Sequence, residues 1–451
     1  MKIASRGRVM GFGVLTKWAA LSAVAVGLTG CSLFEDDEET LSGVRIPVRA
    51  TADEQTTGPE LRAQIEAISA QRPESDWPQV NGNAAHIGGH MATDGSLSQI
   101  WSADMGSSGG SDGSLTAAPI VAEGRVYTLD GASQVSAFNA SSGAVAWRAS
   151  LAPEGEDGED GFGGGLAYAA GRIYAATGFG EVIALEAASG SEVWRTKTSA
   201  PIRAAPTAGQ GVIIAISRDN VAYAFDPEDG GVRWRVSGAS SGAGVLGGAS
   251  AAISPGGTAV LPFGTGEIVA VRANSGRRSW SDVISGGRRG YARSAISDIS
   301  ADPVIQGVAV IAGNSSGLLV AIDGRSGRRG WVREFGAAGP VWTDAQTLYV
   351  VTDDAQLKRL STQDGSTLWS TALPEYDDPE DLEGLIRYGG PVLAGGQLLV
   401  TSSEGQLLTF DPMTGAETGF IGVSDLSGIA PVVAGGTVYV VTDGATLIAL
   451  R

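Results

Sequence analysis

The sequence predicts an all-β fold, an eight-bladed β-propeller of four-stranded antiparallel blades behind an N-terminal tether. Three observations predict it. Glycine makes up 67 of 451 residues, about twice the usual ~7%, which implies a chain punctuated by turns. A Gly-x-x-x-Trp pair recurs at Gly143/Trp147, Gly190/Trp194, Gly230/Trp234, Gly276/Trp280, Gly327/Trp331 and Gly365/Trp369. With Trp101 opening the series and Gly415/Gly419 ending it, the mean spacing is about 45 residues, the period of a propeller blade. Between these marks lie four apolar stretches of about five residues each, separated by turn chemistry, as short strands are.

The elements follow in order. Residues 1–30 carry Lys2, Arg6, Arg8 and Lys17 and no acid, then the apolar run 18–27, which is too short for a membrane-spanning helix and has the form of a secretory signal. It ends in Leu28-Thr29-Gly30-Cys31, which resembles a bacterial lipobox. Cys31, the only cysteine, is therefore the expected lipidated first residue of the mature chain, and Ser32 after it is compatible with sorting to the outer membrane. Loss of the signal removes four positive charges, so the net charge of −18 becomes −22. Residues 31–76 read as a largely disordered tether. Acids fill 35–39, and Leu61, Ile65 and Ile68 give 59–71 a short amphipathic helical pattern.

Residues 77–451 form the propeller. The unit 303–334 shows the pattern: apolar strands at 303–306, 308–312 and 318–322, then an outer strand over 328–334 that holds Trp331. The last unit, 430–450, supplies three strands. The lone strand 98–104 around Trp101 is expected to complete it, closing the ring from both chain ends and leaving no edge strand to pair with other chains.

Composition excludes several functions. A chain with 43% hydrophobic and 18% charged residues is not mostly disordered. One cysteine allows no intrachain disulfide and no cysteine-rich metal site. A strongly acidic chain is a poor nucleic-acid partner, because that affinity rests on neutralised phosphates. His86 and His90 have the i, i+4 spacing of helical zinc ligands, but Gly88 and Gly89 between them disfavour a helix. The Gly-rich run 161–165 and the acidic runs 154–160 and 377–381 read as loops. No nucleophile–His–acid arrangement can be drawn, and no catalytic residue or cofactor is expected.

The repeat Ala137-x-Asn139-x-x-x-Gly143-x-x-x-Trp147, with counterparts at Ala184/Glu186/Gly190, Ala224/Asp226/Gly230 and Ala321/Asp323/Gly327, resembles the tryptophan-docking repeat of the pyrroloquinoline-quinone propellers. The resemblance implies that Trp101, Trp147, Trp194, Trp234, Trp280, Trp331 and Trp369 pack between blades, each indole N–H meeting a backbone carbonyl. Combined with the lipobox and with Ser297-Asp298-Ile299 ahead of Pro303, it is closest to the BamB family of outer-membrane assembly lipoproteins. That family implies a non-enzymatic scaffold, lipid-anchored at the periplasmic face of the outer membrane. It binds POTRA domains of BamA among other assembly subunits, assists insertion of β-barrel proteins and is a candidate to hold unfolded ones.

The family's two partner loops map onto Val245-Leu246-Gly247, where its arginine is missing, and onto Ser297–Ser300, where Asp298 matches and Ser300 departs. Arg288, Arg289 and Arg293, in the second loop region, are candidates to replace the missing arginine. The alternatives are a turn role for Asp298 and a solvated face for the arginines. The quinone-dependent dehydrogenases share the repeat, but many carry an adjacent cysteine pair that this chain lacks. Such an enzyme, or a propeller lipoprotein with another envelope partner, is the alternative reading.

Overall fold

The computed structural model describes residues 67–94, 96–109, 115–161, 163–239, 248–285, 298–314 and 317–451. Cys31, most of the expected tether, Val245, Leu246, Arg288, Arg289 and Arg293 lie outside the described residues. The rest is an all-β eight-bladed ring. Seven blades are consecutive four-stranded antiparallel meanders, spanning 120–150, 164–197, 207–237, 252–283, 304–333, 342–372 and 388–422. Blade 8 joins Val432–Ala434, Thr437–Val441 and Thr446–Leu450 to Gln99–Asp104, which pairs antiparallel with Thr446–Leu450. The two chain ends thus close the circle.

Burial explains the sequence pattern. The second and third strands of a blade are covered on both faces by neighbouring blades, so Val212–Ser217 and Val221–Phe225 read as near-continuous apolar runs. Outer strands such as Val145–Ser150 alternate exposed and half-buried positions. Each of them slips register at the repeat tryptophan, or at Gly419 where blade 7 lacks one. Phe138 pairs with Val145 and Ala137 with Trp147, leaving Ala146 as the extra residue of a bulge.

The outer strands also correct an expectation: ring closure does not abolish edges. Every sheet ends in an outer strand with one neighbour. A ring of separate sheets, unlike a barrel, joins its blades by side-chain packing, so eight edges remain. The bulges and edge charges such as Glu192, Arg195 and Lys197 are devices that discourage pairing.

Three details depart from the plain repeat. The acidic run 154–160 leads into a 3-10 turn, Gly158–Gly161. The acidic run 377–381 sits in a small extra hairpin, Tyr376–Asp378 with Glu383–Leu385, that exposes Leu382 and Leu385. Residues 67–71, the end of the expected helical stretch, are not helical. Ser69, Arg72 and Glu74 are already bonded to the ring or to the chain beside it, several residues before the expected start of the propeller.

Candidate functional site

Tryptophan geometry sets how the blades stand. Each outer-strand indole donates to a carbonyl at the turn between the third and fourth strands of the next blade. Trp101 bonds Ala140 O (3.1 Å), Trp147 bonds Ala187 O (3.0 Å) and Trp194 bonds Pro227 O (3.0 Å). Trp234 reaches Ala273 O (2.8 Å) and Trp280 reaches Gly324 O (2.8 Å). Trp331 and Trp369 donate to Thr362 O and Pro412 O, both at 3.1 Å. Each ring lies against the repeat glycine of that next turn: a Cβ at Gly190 would sit 2.5 Å from Trp147 Cε3. Glycine is needed there for space as well as for its φ of +75°.

The first strands line a central cavity of about 610 Å³, within the usual 300–1,000 Å³ range of ligand pockets. Trp77 and Asn81 form one wall, and Arg203, Asp302, Asp353 and Arg387 contribute charged groups. The loops that join one blade to the next open at this mouth. Asp302 accepts from the Ser250 N–H at 2.6 Å, and burial pushes its carboxyl above the usual range. Burial likewise pushes His86 down, against the pull of Asp302. Burial raises the Tyr388 phenol to about 12; its hydroxyl donates to Pro374 O at 2.7 Å.

The two stretches singled out by resemblance, 240–247 and 286–297, lie outside the described residues, but the residues flanking them are described. Asn220 donates to Ala239 O at 2.8 Å, holding the chain where the 240–247 loop departs. Asn314 donates to Ile284 O at 2.9 Å and bridges to Ile299, so it clasps both ends of the 286–297 loop. The return points of the two loops, Gly248 and Asp298, line one small cleft together with Arg203, Asn220 and Gly264. Asp298 itself is 3% exposed and faces Arg203 at 3.6 Å. Arg203 is the more exposed of the pair.

Two described arginines after the second loop region, Arg329 and Arg333, are held by neighbouring groups. Arg329 bonds Asp282 at 2.6 Å and the Val283 carbonyl. Burial alone would raise the Asp282 carboxyl, but Arg329 and the Val283 N–H outweigh it and hold it low. Arg333 is buried and donates to the carbonyls of Asp364 and Gly365. Neither signal is visible in composition, since both depend on the neighbouring blade.

Both histidines serve the segment ahead of the ring. His86 is fully buried and its Nδ1 donates to Pro303 O (2.9 Å). His90 accepts the Gly396 N–H on Nε2 (2.8 Å), so its Nδ1 carries the proton given to Ser69 O (2.7 Å). A calcium ion takes six to eight oxygen ligands. Among the described residues no group of three or more His, Cys, Asp or Glu is placed to hold a metal.

Comparison with known proteins agrees with this architecture. The family described as outer membrane protein assembly factor BamB matches residues 89–158, 131–371 and 377–451. The chain is 26% identical to BamB of Shewanella oneidensis over 348 residues, 75% of this chain and 85% of that one. It is 35% identical to BamB of Vibrio cholerae over 56% of this chain and 64% of that one. It is 30% identical to BamB of Yersinia pestis over 45% of this chain and spans about half (49%) of that relative's length. Among solved structures, BamB from Moraxella catarrhalis superposes with a TM-score of 0.66 at 18% identity, covering 79% of this chain and all of that one. A quinohemoprotein alcohol dehydrogenase from Comamonas testosteroni gives 0.64 at 15% identity, covering 89% and 83%. Both likenesses establish the fold alone.

Proposed function

This chain belongs to the family of the outer membrane protein assembly factor BamB, and on that premise we infer that it is a non-enzymatic scaffold of the β-barrel assembly machinery. Cys31 carries its lipid anchor, which holds the ring at the periplasmic face of the outer membrane. The loop-bearing mouth receives POTRA domains of BamA, and the assembled complex assists insertion of β-barrel proteins. Val245 and Leu246 supply apolar contact, and Arg288, Arg289 and Arg293 supply cationic contact, the pairing of aliphatic and guanidinium groups that protein interfaces favour. Asp298 acts from behind, by fixing Arg203 and the loop's return.

One observation supports this assignment of the mouth most. Gly248 and Asp298, the first described residues after 240–247 and after 286–297, line one cleft. A partner domain can therefore touch both at once. The test is capture of BamA from detergent extracts by the tagged full chain. Reversal of Arg288, Arg289 and Arg293 to glutamate lowers the BamA recovered while the ring stays folded. Undiminished recovery with this triple variant overturns the role given to the arginines, and absence of BamA from the wild-type eluate overturns the function.

A further inference from the structure

Seven tryptophans serve eight seams between blades, and the missing one is at the seam of blades 7 and 8. Gly419 occupies the tryptophan position there, and a Cβ placed on it would meet only Thr409 Oγ1, at 3.9 Å. The reason is topological. Elsewhere an indole docks on the turn between the third and fourth strands of the next blade. In blade 8 those strands are Thr446–Leu450 and Gln99–Asp104, and the fourth precedes the third by more than three hundred residues in the chain. No turn joins them, so the turn on which an indole docks elsewhere is missing.

Another element holds this seam. The segment 72–94 visits every blade in ring order, at the end where first strands turn into second strands. Trp77 exchanges both backbone hydrogen bonds with Val121 of blade 1 (2.7 and 2.9 Å), and Pro78 O accepts from Tyr168 of blade 2 (2.7 Å). The Gln79 carboxamide pairs with both backbone groups of Ala208 in blade 3, imitating a strand (3.0 and 3.2 Å). Ala84 O and Ala85 O accept from Ile253 and Ile305 of blades 4 and 5. Gly89 O accepts from the Trp342 indole of blade 6 at 2.9 Å.

Met91 then bonds Leu393 and Gly395 of blade 7, and Asp94 bonds Gly436 of blade 8. The parallel bridges Met91↔Ala394 and Thr93↔Gly436 thus span the seam that lacks its tryptophan. Near the axis Trp77 stacks on Trp342 at 5.6 Å and 9°, and Trp77, Val80 and Asn81 line the cavity.

We propose that segment 72–94 is a strap that locks the ring, fastening blade 7 to blade 8 in place of the absent tryptophan dock and closing one end of the channel. The cavity is then blind, and a partner or ligand enters only from the loop-bearing mouth. In chain order the strap precedes the closing strand, so a pull on the chain ahead of it is spread over eight blades rather than borne by the closing strand alone.

The test is native-state hydrogen exchange of the full mature chain with Gln79→Ala, a change that touches blade 3. If the strap is a lock, loosening it at blade 3 weakens its hold at the far end. Amides of Tyr388–Ala394 and Val432–Ala434 then exchange about ten-fold faster, the factor expected from losing roughly one buried hydrogen bond's stabilisation. The seams that keep their tryptophan change less. Gly190→Ala, which destabilises an outer dock without touching the strap, serves as control and leaves the seam of blades 7 and 8 no worse than the others. Acceleration confined to Ala208 and the strap itself, or spread equally over all seams, overturns the proposal. Gly88→Val is a stronger second perturbation, because a side chain there meets Thr343 O at 2.6 Å and the Trp342 ring at 2.8 Å. It must accelerate the same seam.

Discussion

Two glycines of blade 2 separate the two reasons for glycine in the repeat. Gly171 and Gly190 have φ of +80° and +75°, so alanine is strained by the same left-handed backbone at both, about 1–2 kcal/mol. They differ in surroundings. A Cβ at Gly171 meets nothing within 4 Å, whereas at Gly190 it lies 2.5, 2.8 and 2.9 Å from Cε3, Cδ2 and Cζ3 of Trp147. Overpacking a rigid indole adds about 1–3 kcal/mol. Gly190→Ala therefore costs ~2–5 kcal/mol in total and Gly171→Ala only ~1–2. Urea unfolding followed by tryptophan fluorescence reads the difference as a lower midpoint at unchanged slope. Trp147→Ala removes the obstacle, so adding Gly190→Ala to it should cost no more than Gly171→Ala does. The coupling in that double-mutant cycle is the docking interaction itself. Equal losses for the two single variants, or no coupling, would refute the claim that indole contact dictates the repeat glycine.

Other outcomes follow from the same structure. His86 is held below its ordinary 6.5 by burial, so the unfolded chain takes up its proton first. Its contribution to stability is full above pH 6.5 and lost as pH falls below it, and His86→Leu should flatten the denaturation midpoint between pH 7 and 5. Asp302, raised by burial, has the opposite sign. Its unfolded carboxyl ionises first, so it adds stability only at acid pH, and Asp302→Asn should raise stability near pH 7. Asp298→Ala removes the anion facing Arg203 in a buried site; breaking such a pair costs about 3–5 kcal/mol where burial is complete, and less here because Arg203 is partly exposed. Cys31→Ser should move the chain from the membrane fraction to the soluble periplasmic fraction after osmotic shock.

The blades were legible because their rule is local. A tryptophan and a glycine four residues apart report a bulge, a turn and an inter-blade contact at once, and the two middle strands betray themselves by unbroken apolar runs such as Val212–Ser217. Closure by 98–104 was legible from counting strands. The strap was not. Most of its bonds use backbone groups or single carboxamides, which leave no period, and its direction is set by a ring that forms from residues hundreds of positions away. Residues 69–76 thus looked like tether although Ser69, Arg72 and Glu74 are already bonded. The small hairpin 376–385 was hidden by its acids, which suggest a loop. Asp298 could be located but not oriented, since its burial depends on Arg203 of another segment. The roles of Arg329 and Arg333 were not legible either, because their partners sit on other blades. Arg329 and Arg333 are occupied by Asp282 and by blade 6 carbonyls.

The most direct test of the account is site-specific photocrosslinking in living cells from position 289, in the loop between blades 4 and 5, with position 246 in the preceding loop as its companion. Both probes should capture the same protein, BamA, through its POTRA domains, while a probe at Val308, exposed at the opposite end of blade 5, should not. Capture of a different envelope protein by both loops, or capture of BamA from Val308 and not from the loops, would contradict it.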